Sequence, residues 1–409
     1  MNILVTGAKG FIGRNLCENL KNVRDCKDPA RPHIHIEDIY EFDTDSSDDE
    51  LSLYVSKADF VFHLAGVNRP KDSSEFKTGN VELTAKLLEL LEKKNGKTPV
   101  MLSSSAQASL SGRFGVTEYG VSKKESEKLV FDYGRETGAE VYVYRFPNVV
   151  GKWARPNYNS AVVTFCYNIS RNLPIKVNDR DTELEILFVE DLVDEMIDCA
   201  LTGRPHRCGP EGSAPLKEGE NSEGQPMLFC KCPVTYKKTL GEIVDILQGF
   251  KRFQDELVLP EMPADSFEKK LISTYVSYLP EEAFTVSPKV RSDSRGSFAE
   301  LLKMPGAGQV SVNVTYPGET KGLHWHNTKW ELFIVVSGRG LIRERKIGSS
   351  EVREFEVSGD DPKEIFMIPG YTHSITNLSD TENLVTIMYA NELFNGERPD
   401  TFREEVYLN

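Results

Sequence analysis

The sequence lacks a long apolar run, a basic leader and an even number of cysteines. No apolar stretch approaches the roughly 18 residues that a membrane-spanning helix needs. Residues 1–5 are typical of a strand and not of a basic-then-apolar leader. Seven cysteines, an odd number in a chain without a leader, favour reduced thiols over a disulfide framework. We therefore expect a cytoplasmic protein that does not enter a membrane.

The charge balance argues against a nucleic-acid surface. The formal net charge is −14 at pH 7, whereas binding to nucleic acid needs clustered lysine and arginine. Anionic small ligands stay possible, because backbone amides bind phosphate even inside an acidic protein. With 409 residues, 39% of them hydrophobic and 27% charged, the chain is typical of a globular protein of two or three domains.

The order of patterns along the chain predicts two unlike domains. Over residues 1–200, short apolar strands alternate with helical patterns, which predicts an α/β Rossmann-type domain with a doubly wound parallel sheet. A stretch rich in Gly, Pro, Ser and Glu at about 203–232 indicates a loop insertion. From 288 onward, short strands separated by Gly, Pro and Asp turns predict an all-β barrel. We therefore predict domains at 1–280 and 288–409. The predicted strands of the first domain cover residues 3–6, 34–42, 60–65, 100–103 and 141–145, and its helices include 11–21, 81–93 and 123–136.

A glycine-rich turn joins the first predicted strand to the first predicted helix. The sequence ILVTGAKGFIG places Gly7, Gly10 and Gly13 in a GxxGxxG spacing, which allows a tight turn and brings helix-start amides up to a pyrophosphate. The alternative is a tight turn with packing glycines only. Where the third strand ends, FVFHLAG supplies a second small-residue turn beside the expected cofactor. The expected cofactor contacts are Gly7, Gly10, Phe11, Ile12, Gly13, Arg14, Leu64, Ala65 and Gly66.

A serine-rich strand end precedes a Tyr-x3-Lys pair. Ser105 ends the stretch VMLSSS, and Tyr119 and Lys123 follow on one predicted helix face. A lysine ammonium beside a tyrosine lowers the pKa of the phenol, so that it exchanges a proton with a carbonyl oxygen that the serine holds. A Tyr-x3-Lys pair alone is usually a solvated helix face. Because the strand, the glycine turn and the chain order agree, we predict a catalytic set.

These motifs resemble the extended short-chain dehydrogenases/reductases that act on nucleotide sugars. The resemblance covers residues 1 to about 200 and implies catalytic roles for Ser105, Tyr119 and Lys123. Tyr119 and Lys123 also contact the cofactor in this family. The resemblance further implies a cofactor role for Asn80 in GNVELTAKLLELL and substrate contacts for Arg145 and Asn148 in RFPN.

Two residues point to different nicotinamide cofactors. Asp43 ends the second predicted strand, where an acid normally bonds the ribose 2′-hydroxyl of NAD and repels the 2′-phosphate of NADP. Arg14, directly after Gly13, would instead receive that phosphate. The residues alone leave NAD(H) and NADP(H) both open.

The segment GLHWHNTKWE contains candidate metal ligands. His324 and His326 share one face of a strand, and the run from Gly318 to Gly338 matches the first motif of the cupin fold. The later IPGYTHSITN, with His373, supplies most of the second motif, although Pro369 stands directly before the glycine. His324, His326, Glu331 and His373 would complete a divalent-metal site, most consistent with zinc. A ligand-filled barrel without metal is the alternative.

A second metal set is conceivable in the insertion. It would use His206, Cys208, Cys230 and Cys232. Zinc knuckles favour CxxC spacing, and these pairs are separated by one residue only. We therefore favour a solvated loop.

Upstream of the cupin motif, SDSRGSFAELL resembles the opening of the cupin-fold epimerases of nucleotide-linked 4-keto-6-deoxy sugars. That resemblance implies that Arg295 holds a nucleotide diphosphate, and a salt-bridged surface turn is the alternative.

The combination of both domains resembles the CapF-type bifunctional enzymes of capsular polysaccharide synthesis. Segments such as GVNRP, GKWARPNYNS, VNDRDTELE and RPDTFR carry the resemblance over nearly the whole chain except 203–232. It implies C3 epimerisation of a UDP-linked 4-keto amino sugar in the cupin domain and NADPH-dependent reduction of C4 in the first domain. We also expect a homodimer. Two other functions stay open: a nucleotide-sugar 4-epimerase or dehydratase with a structural cupin, and a non-enzymatic dinucleotide-sensing regulator.

Overall fold

The computed structural model describes residues 1–94, 96–112, 115–202, 217–220, 226–232 and 234–407. The chain forms two compact units. The first comprises Met1–Asn168, Leu173–Val244 and Ser273–Tyr278, and the second comprises Ile169–Asn172, Asp245–Ile272 and Leu279–Asn409.

The described residues up to 239 form both strands and helices. The strands are β1 (Ile3–Thr6), β2 (Ile39–Phe42), β3 (Phe60–His63), β4 (Val100–Ser105), β5 (Val141–Phe146), β6 (Asn148–Val150), β7 (Glu183–Phe188), β8 (Lys217–Glu220), β9 (Pro226–Leu228) and β10 (Tyr236–Thr239). The helices are α1 (Phe11–Arg24), α2 (Asp48–Lys57), α3 (Ser74–Phe76), α4 (Leu83–Lys94), α5 (Glu118–Thr137), α6 (Ala161–Ser170) and α7 (Val189–Thr202), and they are followed by α8 (Leu240–Glu256) and α9 (Phe267–Val276).

Five parallel strands form the central sheet of the first unit, in the order β2-β1-β3-β4-β5. The chain moves outward in one direction from β1 to β2 and in the other from β3 to β5. The order therefore reverses between β1 and β3, and open parallel sheets bind ligands at such a switch point. The predicted doubly wound Rossmann-type sheet is confirmed.

Alternation along the strands buries both faces of this sheet. Ile3 and Val5 of β1 pack with apolar residues of α1 and α7, whereas Leu4 between them packs with those of α2, α4 and α5. Helices therefore cover both faces, which explains why β1 is a continuous apolar run.

Two predicted boundaries differ from the structure by five residues each, and the others differ by three residues or fewer. Helix α5 begins at Glu118, five residues before the predicted start, because the Thr117 side chain accepts a hydrogen bond from the Gly120 amide and caps the helix. Strand β2 begins at Ile39 and not at residue 34. Ile36 is buried in the core, but the backbone there is irregular, so its apolar character reflects packing and not strand pairing.

The second unit carries the remaining strands, which are all antiparallel where they pair within its two sheets. They are β11 (Val290–Asp293), β12 (Gly296–Met304), β13 (Gly308–Thr315), β14 (Thr320–Trp325), β15 (Glu331–Ser337), β16 (Arg339–Lys346), β17 (Val352–Ser358), β18 (Glu364–Met367), β19 (Tyr371–Asn377), β20 (Leu384–Ala390) and β21 (Phe402–Arg403). One sheet has the order β11-β12-β13-β20-β15-β18 and the other β17-β16-β19-β14-β21. Apolar residues of both sheets, among them Phe333, Val335, Ile342 and Ile375, form one core. The predicted all-β, cupin-like domain is confirmed.

Among the described residues, every helix is too short or too polar to cross a bilayer.

Candidate active site and metal centre

The glycine-rich turn lies at the switch point of the sheet. Gly7 has φ +72°, and a Cβ there would lie 2.7 Å from the Ala65 nitrogen. A Cβ at Gly13 would lie 2.1 Å from the Gly7 oxygen, and Gly10 stands at the N-cap of α1. These glycines let β1, α1 and the turn after β3 approach closely, so that the first amides of α1 are available to an anion. Phe11, Ile12 and Leu64 pack against the core beside this turn.

Asn80 joins the end of β3 to α5. It is buried in a π-helical turn, Lys77–Glu82. Its side chain accepts a hydrogen bond from the Val67 amide (2.7 Å) and donates to the Val67 carbonyl (3.1 Å) and to the Ser122 hydroxyl (2.9 Å). A Cβ at Gly66 would lie 2.9 Å from Asn80 Oδ1 and 3.0 Å from Lys123 Nζ. Asn80 therefore fixes the helix face that carries Tyr119 and Lys123.

The structure brings Ser105, Tyr119 and Lys123 together. Ser105 is the last residue of β4, Tyr119 lies in the first turn of α5, and the Ser105 side chain is close enough to lower the pKa of the Tyr119 phenol. Lys123 is buried and donates to the Ser103 carbonyl at 2.9 Å. Burial lowers the pKa of Lys123 to about 8, although Glu127 raises it.

The pKa of Tyr119 moves against the sequence prediction. Burial raises it to about 12, and the interaction with the Ser105 side chain only partly opposes this. The phenolate would lose its hydration in this pocket, and that penalty exceeds the stabilisation by neighbouring groups. Tyr119 is therefore a neutral phenol near pH 7, which holds the proton that a carbonyl reduction consumes.

A buried ion pair behind this set was missed by the sequence analysis. Glu127 lies one helical turn after Lys123, and both of its oxygens accept from Arg145, at 2.9 Å from Nε and 2.8 Å from an Nη atom. The Ser104 hydroxyl also donates to Glu127, and the guanidinium lies 4.1 Å from the Phe229 ring centroid. The available signal was the i, i+4, i+8 spacing of Tyr119, Lys123 and Glu127 on one helix face.

A cavity of about 400 Å³ adjoins Ser105 of the predicted catalytic set. Ser105 and Asn148 both line it, and the Asn148 amide donates to the Glu185 carbonyl at 2.9 Å. The other polar lining residues were missed by the sequence analysis: Gln107, Ser109, Ser111, Glu183, Glu185 and Lys237. Arg145 lines a neighbouring cavity that shares Ser109 and Glu185 with the first. The guanidinium is held by Glu127, so a substrate contact of Arg145 stays a prediction.

Asp43 is already engaged by the backbone. One of its oxygens accepts from the Lys9 amide at 2.7 Å and the other from the Thr44 amide at 2.8 Å. The Lys9 ammonium pairs with Asp45, and both side chains are exposed. The Arg14 guanidinium lies 4.5 Å from the Trp153 ring centroid. An exposed lysine therefore stands beside Asp43, and sequence reasoning did not consider it.

Only half of the alternative metal set can be described. His206 and Cys208 lie outside the described residues. Cys230 and Cys232 are buried in the core that packs on β5, and the Cys230 amide donates to the Val143 carbonyl at 2.9 Å. Burial raises the pKa of Cys232 to about 12, which disfavours the thiolate that a metal needs.

The four predicted metal ligands converge in the second unit. His324 lies on β14, His326 just after it, Glu331 at the start of β15 and His373 on β19. One ligand atom of each lies within 4.8 Å of the others. His326 Nε2 and His373 Nε2 each lie 3.5 Å from Glu331 Oε2. These three atoms are buried and without a hydrogen-bond partner, which is the arrangement that a cation would satisfy. The residues present fit a divalent metal ion.

The charges of this cluster are suited to a cation. Burial, together with the neighbouring His373, lowers the pKa of His324 to about 4. Burial raises the pKa of Glu331, but His326 and His373 outweigh it and leave that pKa well below its usual range. Neutral imidazoles and an ionised carboxylate are the ligand forms that zinc accepts.

Arg295 lies in the exposed turn between β11 and β12. Its guanidinium pairs with Asp293 at 2.7 Å, and both side chains are about half exposed, at 47% and 50%. The structure shows the salt-bridged surface turn that the sequence analysis gave as the alternative to a diphosphate-binding arginine. A contact of Arg295 with a nucleotide diphosphate stays a prediction.

Comparisons with known proteins agree with both units. Residues 3–206 match the NAD dependent epimerase/dehydratase family, and residues 291–402 match the polysaccharide biosynthesis C-terminal domain. The chain is 36% identical over 402 residues to UDP-2-acetamido-2,6-beta-L-arabino-hexul-4-ose reductase of Pseudomonas aeruginosa, covering 98% of both chains.

Solved structures extend the comparison. The capsular polysaccharide assembling protein CapF from Staphylococcus aureus superposes with a TM-score of 0.84 at 44% identity, over 99% of this chain and 100% of that one. The NAD+ complex of WbmF from Bordetella bronchiseptica shares only the fold. It has a TM-score of 0.50 at 18% identity, over 68% of this chain and 92% of that one. Because the likeness to a named reductase and to CapF spans both units, this chain belongs to the CapF family and is a nucleotide-sugar oxidoreductase.

Proposed function

We propose that the chain is a bifunctional nucleotide-sugar enzyme. It would epimerise C3 of UDP-2-acetamido-2,6-dideoxy-β-L-arabino-4-hexulose and reduce C4 to give UDP-2-acetamido-2,6-dideoxy-L-talose. The observation that carries this proposal is the Ser105–Tyr119–Lys123 set beside a cavity, in a chain that matches a named reductase over 98% of its length.

The residues of the first unit suit the reduction. A nicotinamide cofactor, when bound, supplies the hydride that adds to C4. Ser105 would hold the carbonyl oxygen by a hydrogen bond, and Tyr119 would give it a proton as negative charge develops there. The raised pKa of Tyr119 keeps the phenol protonated. The Lys123 ammonium, fixed by the Ser103 carbonyl, would stabilise the phenolate that remains.

The residues of the second unit suit the epimerisation. A 4-keto group acidifies the C3 proton, and its removal and return on the opposite face invert that carbon through an enolate. A divalent ion held by His324, His326, Glu331 and His373 would supply Lewis-acid polarisation of a carbonyl oxygen. The convergent, orphaned ligand atoms support this metal role, with zinc as the expected ion.

We propose NADP(H) as the preferred cofactor. The exposed Lys9 ammonium beside Asp43 would add to Arg14 as a contact for the 2′-phosphate. Asp43, whose oxygens already accept from two backbone amides, is then part of the turn and not a selective ribose ligand. A cytoplasmic homodimer belongs to the same proposal, and light scattering on the full chain tests the dimer.

Product analysis in D2O tests the proposal. The full chain is incubated with the 4-keto sugar and NADPH, and NMR follows the product while absorbance follows the nicotinamide. The expected result is one NADPH oxidised per sugar, deuterium at C3, and the talo configuration. The matched control is Tyr119→Phe, which should still exchange C3 but oxidise no NADPH.

The alternatives give different outcomes. Turnover without net consumption of nicotinamide would indicate a 4-epimerase or dehydratase, and no turnover would indicate a regulator. Nicotinamide oxidation by Tyr119→Phe at near wild-type rate would refute the roles assigned to the first unit.

A further inference from the structure

The C-terminal segment, residues 400–404, lies beside the four predicted metal ligands. Its residue Asp400 contacts His326 through the backbone, because the ring nitrogen Nδ1 hydrogen-bonds the Asp400 carbonyl oxygen. A carbonyl only accepts, so Nδ1 must carry the hydrogen, and the lone pair of the neutral ring is then on Nε2. Nε2 is the orphaned nitrogen that lies 3.5 Å from Glu331 Oε2. Asp400 thus sets the tautomer in which His326 ligates a metal.

The side chain of Asp400 holds the loop between two of the ligands. Its carboxylate accepts from the amides of Asn327 (2.9 Å), Thr328 (2.8 Å) and Lys329 (2.9 Å), and from the Thr328 hydroxyl at 3.2 Å. These three residues lie in the four-residue loop between His326 and Glu331. Three convergent amides on one carboxylate fix the path of this loop and hence the separation of the two ligands.

The same segment pairs with the strand that carries a third ligand. Strand β21 adds to the edge of β14, with Arg403 opposite His324 and Phe402 opposite Trp325. The Phe402 and Trp325 rings lie 4.9 Å apart, and the Glu404 amide donates to the Leu323 carbonyl at 3.1 Å. The C-terminal segment therefore touches the supports of His324, His326 and Glu331 together.

We infer that Asp400 is a positioning residue of the metal centre, which orients His326 and ties the His326–Glu331 loop into ligating geometry. This inference rests on the proposed metal site. Removal of a group that hydrogen-bonds to a metal ligand typically weakens metal affinity by about 10–100-fold. We expect the loss of Asp400 to change the ligand geometry and not the overall fold, because the apolar core of the unit lies between its two sheets.

Metal affinity of the full chain tests the inference. Apo protein is prepared with a chelator, and Zn²⁺ binding is measured by competition with a chromophoric chelator for wild type, Asp400→Ala, Asp400→Asn and the control Asp380→Ala. Asp380 is an exposed turn residue of the same unit, so the control matches the change in charge and size. The expected result is a 10–100-fold weaker affinity in Asp400→Ala, a smaller loss in Asp400→Asn, and no change in the control.

Two further measurements separate positioning from folding. The melting temperature of the metal-free variants should lie close to that of metal-free wild type, and the visible spectrum of Co²⁺-loaded Asp400→Asn should differ from that of Co²⁺-loaded wild type. A Zn²⁺ affinity of Asp400→Ala within twofold of wild type would overturn the inference. If Asp400→Ala does not fold, an unchanged affinity and Co²⁺ spectrum in Asp400→Asn overturn it instead. Wild type that binds no metal would refute the proposed site itself, which is a different outcome.

Discussion

The buried pair Glu127–Arg145 makes the reductase unit sensitive to one isosteric change. Glu127 is 1% exposed, and the Arg145 side chain is 14% exposed. In Glu127→Gln, the guanidinium loses its ionic partner but stays largely out of water. Breaking a buried pair by removing one partner costs about 3–5 kcal/mol. Since 1 kcal/mol corresponds to about 2–4 °C for a unit of this size, we expect the first unit to melt roughly 6–20 °C lower.

The same change alters the pH dependence of reduction. Glu127 raises the pKa of Lys123, which burial has lowered to about 8. Without this carboxylate the pKa falls further, so Lys123 loses its proton at a lower pH. The alkaline limb of the kcat profile for NADPH oxidation should therefore move to lower pH.

Thermal melting and a double-mutant cycle measure both effects. The matched control is Glu125→Gln, an exposed position on the same helix, which should change the melting temperature by less than about 2 °C. Arg145→Met removes the other partner and keeps apolar contact with Phe229. The double variant Glu127→Gln/Arg145→Met should be more stable than the sum of the single changes predicts. A melting temperature of Glu127→Gln equal to that of the control would refute the assignment of a buried, energetically coupled pair.

Three other perturbations give further expected outcomes. Wild type should show a higher kcat/KM for NADPH than for NADH, and Arg14→Ala should reduce the ratio of these two kcat/KM values. A wild-type kcat/KM for NADH that equals or exceeds that for NADPH contradicts the cofactor proposal. His326→Ala should lose the divalent ion by elemental analysis, and a metal-free wild type purified without chelators would argue against the site. His63 is buried between Thr6 and Thr84, and burial lowers its pKa to about 3. The unfolded chain then binds the extra proton below pH 6.5, so stability is lost as pH falls from 6.5 toward 3, by up to about 4 kcal/mol. Denaturant titrations of His63→Gln should show a smaller loss over that range.

Local spacing predicted the parts of the sites that one element or one turn builds. The turn from Gly7 to Gly13 follows from steric limits, because a Cβ would collide with neighbouring backbone. Tyr119 and Lys123 follow from helix geometry. The metal set also has a local signal, since β14 and β15 bring His324, His326 and Glu331 together within eight residues. Only His373 needs a distant strand, and a second motif marks it.

Tertiary neighbours explain what the sequence did not predict. The phenol pKa of Tyr119 was predicted to fall because a lysine lies four residues away, yet burial, which spacing does not encode, raises it to about 12. The family resemblance implied a substrate contact for Arg145, which stays a prediction, but no local pattern indicated that Glu127 holds its guanidinium across the sheet–helix interface. The raised phenol pKa and the Glu127–Arg145 pair depend on which surfaces pack together, and a local sequence pattern does not predict that packing.

Asp400 shows how far this limit extends. It lies 74 residues from His326 in sequence. It contacts the ligand itself through a main-chain carbonyl, which every residue type has, and it holds the loop through its carboxylate. A motif search finds the atoms that touch a metal because the chemistry of the ion restricts their residue types. The carbonyl that sets the tautomer is restricted only by its position, whereas the group that holds the loop must also offer the carboxylate oxygens of Asp400. Variants that test metal binding in this chain should therefore be chosen from the hydrogen-bond partners of the ligands as well as from the ligands. Variants of the ligands show whether an ion binds. Variants of their hydrogen-bond partners show which contacts hold the four ligands in ligating positions.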